Sequence, residues 1–121
     1  MAQYLILIYG DETSWAAAPP EVVERVHAEH RAFQARNAGA VLGGNALHRT
    51  DTATSLRSDG SGGDNGAGGP TVTDGPFAET KEALGGYYLV EATDLDEAIA
   101  VARQVPAPFG GVEVRPIRVI D

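Results

Sequence analysis

Six consecutive apolar, β-prone residues, Tyr4-Leu5-Ile6-Leu7-Ile8-Tyr9, stand near the start of the chain and are stopped by Gly10 and Asp11. A strand with one wet face alternates apolar and polar residues, whereas an unbroken run reads as a central strand covered on both faces. Tyr87–Val90 shares this character in part. Any sheet built around these segments has two apolar faces to cover.

The helices that would cover one of them are readable. Pro19-Pro20 opens a helix that runs to about Asn37, with Gly39 as the stop, because proline suits a first turn where its missing N–H has no partner anyway. At ~100° per residue, Val22, Val26 and Phe33 fall together, Val23 and His30 flank them, His27 sits near the edge, and Glu24, Ala28 and Arg31 lie away. A second helix follows Thr93-Asp94-Leu95-Asp96, where Thr93 and Asp96 have capping-box spacing. It places Leu95, Ala98, Ile99 and Ala102 on one face and stops before Pro106.

Further strands are expected at Ala40–Leu47, Thr52–Arg57, Gly85–Ala92 and Val112–Ile120. Gly43-Gly44 inside the first of these predicts a bulge or a close approach, and Pro116 places the last at an edge or bulge. Residues 58–70 hold six glycines and no large apolar side chain, and are expected to form a flexible loop or hairpin tip. The order is β-α-β-β-α-β when Thr52–Arg57 and Gly85–Ala92 are taken as one third strand that the glycine-rich segment can interrupt, the α+β, ferredoxin-like split βαβ pattern, with an antiparallel sheet and two helices on one face. The other face stays apolar and is rarely left in water, so the simplest completion is a second sheet from a second copy: a homodimer.

Composition excludes several function classes. A length of 121 residues supports one domain, expected to span residues 1–121. Nine Lys+Arg against seventeen Asp+Glu give a formal net charge of -8, and the cations are scattered, so no nucleic-acid partner is expected. The absence of cysteine removes disulfides, thiolate metal sites and a cysteine nucleophile. No secretion signal and no apolar stretch approaching ~18 residues is visible, which gives a cytoplasmic, non-membrane expectation.

Candidate chemistry concentrates in a few residues. His30 shares the apolar stripe and points at the sheet; a buried neutral histidine can act as acid or base near neutrality, and equally it can be a hydrogen-bonded core residue. Arg57 and Arg115 lie in strand-like runs, where each could hold an anionic ligand or pair with a carboxylate. Glu24-x-x-His27 is half of a di-iron helix motif whose second half is missing, so no metal is expected. His48, beside Arg49 at a strand end, reads as exposed. No phosphate-cradling glycine motif and no nucleophile elbow is present, and no cofactor is expected. In Thr73-Asp74-Gly75-Pro76-Phe77-Ala78-Glu79-Thr80-Lys81-Glu82, the Asp-Gly-Pro is a turn with positive φ at glycine, and Phe77 after it can be pinned as a plug. An ordinary turn followed by solvated charges is the plainer alternative.

That segment, with Gly85-Gly86-Tyr87-Tyr88, resembles the signature of the DGPF branch of the YCII-related family. Tyr4–Tyr9 with Gly10-Asp11-Glu12, Gly43-Gly44 before Leu47, Thr54-Ser55-Leu56-Arg57 and Glu113-Val114-Arg115-Pro116-Ile117 are similar to other segments of that family. The resemblance spans nearly the whole chain apart from residues 58–70. It implies a dimeric α+β barrel made by two sheets. It also implies a His–Asp acid–base pair, for which His30 and Asp74 are the positional candidates. Arg57, Phe77, Lys81, Tyr87 and Arg115 would contact a small-molecule ligand. By superfamily analogy the chemistry is cofactor-free, of lyase or isomerase type. The alternative is a non-catalytic ligand-sensing or protein-binding module, with a sigma factor as partner by family analogy alone.

Overall fold

The computed structural model describes residues 1–58 and 70–121. Strand β1 (Ala2–Gly10) is followed by α1 (Glu12–Ala17), α2 (Pro20–Arg36), β2 (Val41–Ala46), a 3-10 turn (Thr50–Thr52), β3 (Thr54–Arg57), β4 (Thr71–Asp74), β5 (Ala83–Ala92), α3 (Leu95–Ala102) and β6 (Gly110–Pro116). Among the described residues the strands form a four-stranded sheet in the order β2-β5-β1-β6 and a separate β3-β4 pair, all antiparallel. The four-stranded order is that of the expected ferredoxin-like sheet.

The chain divides into two compact units. One comprises residues 1–47 and 81–121, the other residues 48–80.

In the first unit, β1 is central, as its unbroken apolar run requires. Tyr4 and Ile6 point into a core with Phe33 of α2, Tyr88, Val90 and Ala92 of β5, and Ala98, Val101 and Ala102 of α3, so both long helices lie on one sheet face. Phe33, Ile6 and Val90 are fully excluded from solvent, each contributing about 1.5–3 kcal/mol of burial. Val26 and Phe33 are the buried positions of α2, as its stripe predicts, while Glu24, His27, Ala28 and Arg31 are exposed.

On α3 the expected face is rotated: Val101 is buried with Ala98 and Ala102, and Leu95 is 47% exposed. The cap also differs from the expected one. Asp94, not Thr93, is the N-cap: its carboxylate accepts from the Glu97 N–H, and Glu97 reaches back to the N–H and hydroxyl of Thr93. The box therefore starts one residue later than expected.

Gly43-Gly44 fulfils both halves of its expectation. The β2–β5 register shifts between Val41 and Gly43, a bulge at Leu42. A Cβ on Gly44 would lie 2.6 Å from the Tyr87 carbonyl oxygen and 2.7 Å from Cδ1 of Tyr88. Strand β6 is an edge strand of this sheet and ends at Pro116, consistent with the missing N–H. The short helix α1, absent from the sequence reading, is capped by Asp11, which accepts from Thr13 N–H and the Ser14 hydroxyl. Its Trp15 meets Phe109 edge-on at 4.9 Å.

The second unit is a hairpin rather than a further strand of the main sheet. Thr54 to Arg57 pairs with Thr71 to Asp74. Of the flexible loop expected at 58–70, residues 59–69 lie outside the described residues. Gly75 takes φ 102° in the Asp-Gly-Pro turn, as read from sequence, and its N–H is bonded to the Ala53 carbonyl. No helix among the described residues is long and apolar enough to cross a membrane.

Candidate functional site

His30 stands beside the apolar stripe of α2, a position that brings its ring to the sheet, half-buried. Its Nδ1 lies 2.8 Å from the phenol oxygen of Tyr88. Gln34, one helical turn on, places its Nε2 3.0 Å from the same oxygen and donates to it. The spacing i, i+4 puts both side chains on one face of the helix. Phe33 supports the group from below, with its ring 4.9 Å from that of Tyr88.

Tyr88 is itself held from the other side. It occupies an inward position of β5, opposite Ile6 on β1 and Gly44 on β2, and is 7% exposed. The missing Cβ of Gly44 is what leaves room for its ring. The paired glycines therefore act on the site through Tyr88.

Burial pushes the His30 ring below its ordinary pKa of 6.5, because charging it would remove hydration that nothing fully replaces. A hydrogen bond to the Pro106 carbonyl opposes this; the neighbouring charge of His27 lowers the pKa further and that of Glu29 raises it. The ring is thus neutral at neutral pH, with a phenol against one nitrogen.

The other candidate residues are distributed over both units. Tyr87 points to the opposite sheet face, half-buried, and its hydroxyl accepts from Asn45 Nδ2 at 2.9 Å. Arg115 is exposed and forms an ion pair with Glu113, its Nε 2.8 Å from Oε2, which is the carboxylate alternative raised by sequence. Lys81 is exposed. In the hairpin unit Asp74 ends β4 with an exposed side chain. Arg57 and Phe77 are brought together: the guanidinium lies 4.0 Å from the ring centroid and donates to the Phe77 carbonyl at 3.3 Å. Phe77 is 61% exposed, so it is a platform for Arg57 and not a plug. The turn fixes its backbone, but none of the described residues encloses its ring.

Sequence reasoning named His30 but missed its partners Gln34 and Tyr88. Alternation along β5 carried the signal for Tyr88, since Val90 and Ala92 share its side of the strand. A shallow groove of about 420 Å³ elsewhere in the first unit is lined by Tyr9, Glu82, Gly110, Gly111, Val112 and Glu113. It contains none of the sequence candidates. Among the described residues no group of three or more His, Asp or Glu side chains is placed to hold a metal ion.

Comparison with known proteins gives the family. The chain is 39% identical over 119 residues to "Uncharacterized protein R00369" of Rhizobium meliloti (strain 1021), covering 94% of this chain and 90% of that protein. The family model described as YCII-related domain matches residues 2–121. With the ferredoxin-like sheet in place and the match running through both units, the chain belongs to the YCII-related family.

Proposed function

We propose that this protein, a member of the DGPF branch of its family, is a homodimer that binds a small molecule and moves a proton on it through His30. The chemistry is acid–base, of lyase or isomerase type, and calls on no cofactor. The observation that carries this reading is the His30 ring itself: half-buried, kept neutral by burial, and hydrogen-bonded to Tyr88. A ring that is neutral near neutrality has a lone pair free to take a proton, which a general base needs. Asp74 is the proposed second member of the pair. Arg57, Phe77, Lys81, Tyr87 and Arg115 are the proposed ligand contacts, and the cytoplasm is the proposed compartment.

One observation favours a second reading. The ring of His30 already has internal partners in Tyr88 and the Pro106 carbonyl, as a structural histidine does. On that reading the protein is a non-catalytic module that senses a ligand or binds a protein, a sigma factor being the partner that family analogy suggests.

The test is to follow the His30 side-chain resonances while adding small carboxylates, 2-oxo acids and inorganic phosphate in turn. The proposal expects at least one probe to shift the ring signals and the His30→Gln variant to lose binding. Asp74→Asn should lower the ring pKa further, since it removes the negative charge of the proposed pair. Ring signals that ignore every probe and an unchanged pKa in Asp74→Asn would overturn the acid–base reading and leave the module.

A further inference from the structure

We infer that Gln34 and Tyr88 act together to fix the tautomer of His30, holding the neutral ring with its proton on Nε2 and with Nδ1 as an acceptor. The argument is a count of protons on one oxygen. Gln34 Nε2, an amide nitrogen with only protons to offer, stands 3.0 Å from the phenol oxygen of Tyr88 and takes one of its lone pairs. The phenol has a single proton of its own, and its ring is almost completely buried. His30 Nδ1, at 2.8 Å, is the acceptor within reach. If Nδ1 carried a proton instead, the oxygen would receive two N–H donors and its own proton would lose that partner. A phenol proton left without that partner disfavours this arrangement. One proton therefore runs from amide to phenol and one from phenol to imidazole, and the ring proton is left for Nε2.

This goes beyond the proposed function, because it describes the ring with no ligand present. Gln34 and Tyr88 are positioning residues here: they touch His30 and set which nitrogen it can offer. Both sit where substitution is informative. Gln34 is exposed on the helix, so changing it spares the core. Phenylalanine in place of Tyr88 keeps the ring against Phe33 and removes only the hydroxyl.

Long-range proton–nitrogen correlation spectra of the full chain, recorded above the ordinary histidine pKa, read the two nitrogens separately. The wild type should show a protonated Nε2 and a bare Nδ1. Tyr88→Phe should weaken the preference for protonated Nε2 without abolishing it, because the Pro106 carbonyl remains as a second partner of the ring. Gln34→Glu should invert the assignment, because a carboxylate accepts the phenol proton and the phenol oxygen must then accept from Nδ1–H. A merely space-filling Gln34 predicts no inversion. A wild-type ring protonated on Nδ1, or a Gln34→Glu spectrum identical to the wild type, overturns the inference. Failure of every ligand probe leaves these spectra unaffected, so the tautomer and the proposed function fail separately.

Discussion

The Nδ1 atom of His30 lies 2.8 Å from the phenol oxygen of Tyr88, across 58 positions of chain. The bond ties α2 to the central part of the sheet at a point where Phe33, one turn along the helix, already packs on the same tyrosine ring. A polar contact beside an apolar one gives the helix a rotational setting that hydrophobic burial alone would leave loose.

Because burial depresses the His30 pKa, the folded state binds fewer protons than the unfolded chain between the folded value and 6.5. At higher pH both states are neutral and the histidine is without effect. As pH falls through 6.5 the unfolded chain protonates first, and stability drops until the folded pKa is passed. Chemical denaturation across this window should show the fall, and His30→Gln should flatten it. An equal slope in the variant would assign the effect to other groups.

Phe33 has no solvent exposure and joins α2 to Tyr88. Phe33→Ala should cost about 3–5 kcal/mol, against about 0.5–1.5 kcal/mol for Ile6→Val in the same core. Paired denaturation curves check the ranking, and the larger loss should be accompanied by loss of the distinct His30 environment.

Gly44 and Gly43 make opposite predictions from adjacent positions. An alanine Cβ at Gly44 would stand 2.6 Å from the Tyr87 carbonyl, whereas at Gly43 it would meet nothing within 4 Å. Gly44→Ala should destabilise by about 1–3 kcal/mol through backbone displacement and shift the His30 signals by moving Tyr88. Gly43→Ala should fall within about 0.5 kcal/mol of the wild type. Equal losses would show that the close approach at Gly44 does not govern this strand.

These contrasts also show what a sequence can reveal here. The run Tyr4–Tyr9 and the stripe of α2 were legible because burial imposes a period on many residues at once. The glycine pair was legible because few other features explain two glycines in a strand. The hairpin strand Thr71–Asp74 was not: four mostly polar residues carry no period, and its partner lies before the glycine-rich segment. Helix α1, six residues with no buried side chain, leaves equally little trace. Thr93 and Asp94 are both good caps, so the start of α3 was legible to within one residue and its buried face to within one rotation. His30 could be aimed at the sheet from its helix alone. Its partner could not be named, because the register that places Tyr88 opposite Gly44 and Ile6 is set by pairing across the sheet, not by local sequence.

The sheet face away from the helices carries the prediction on assembly. Leu5 stands directly opposite Leu89, and Leu7 opposite Tyr87, all four half-buried, so two apolar cross-strand pairs sit side by side on β1 and β5. Around them, Gln3 faces Glu91 and Leu7 faces Glu113, while Arg115 lies across from Leu5, giving an apolar centre with a polar border. That is the distribution of a protein interface, and two such faces stacked about 10 Å apart would cover the pairs. A second copy is the proposed cover. Sedimentation of the wild type at micromolar concentration should then give a dimer. Leu7→Asp, which places a charge at the centre of the patch and leaves the helix-side core intact, should give a folded monomer by the same measurement, with its helical circular dichroism retained. A wild type that sediments as a single chain would refute the stacked-sheet dimer, while a Leu7→Asp variant that remains dimeric would move the interface to another surface.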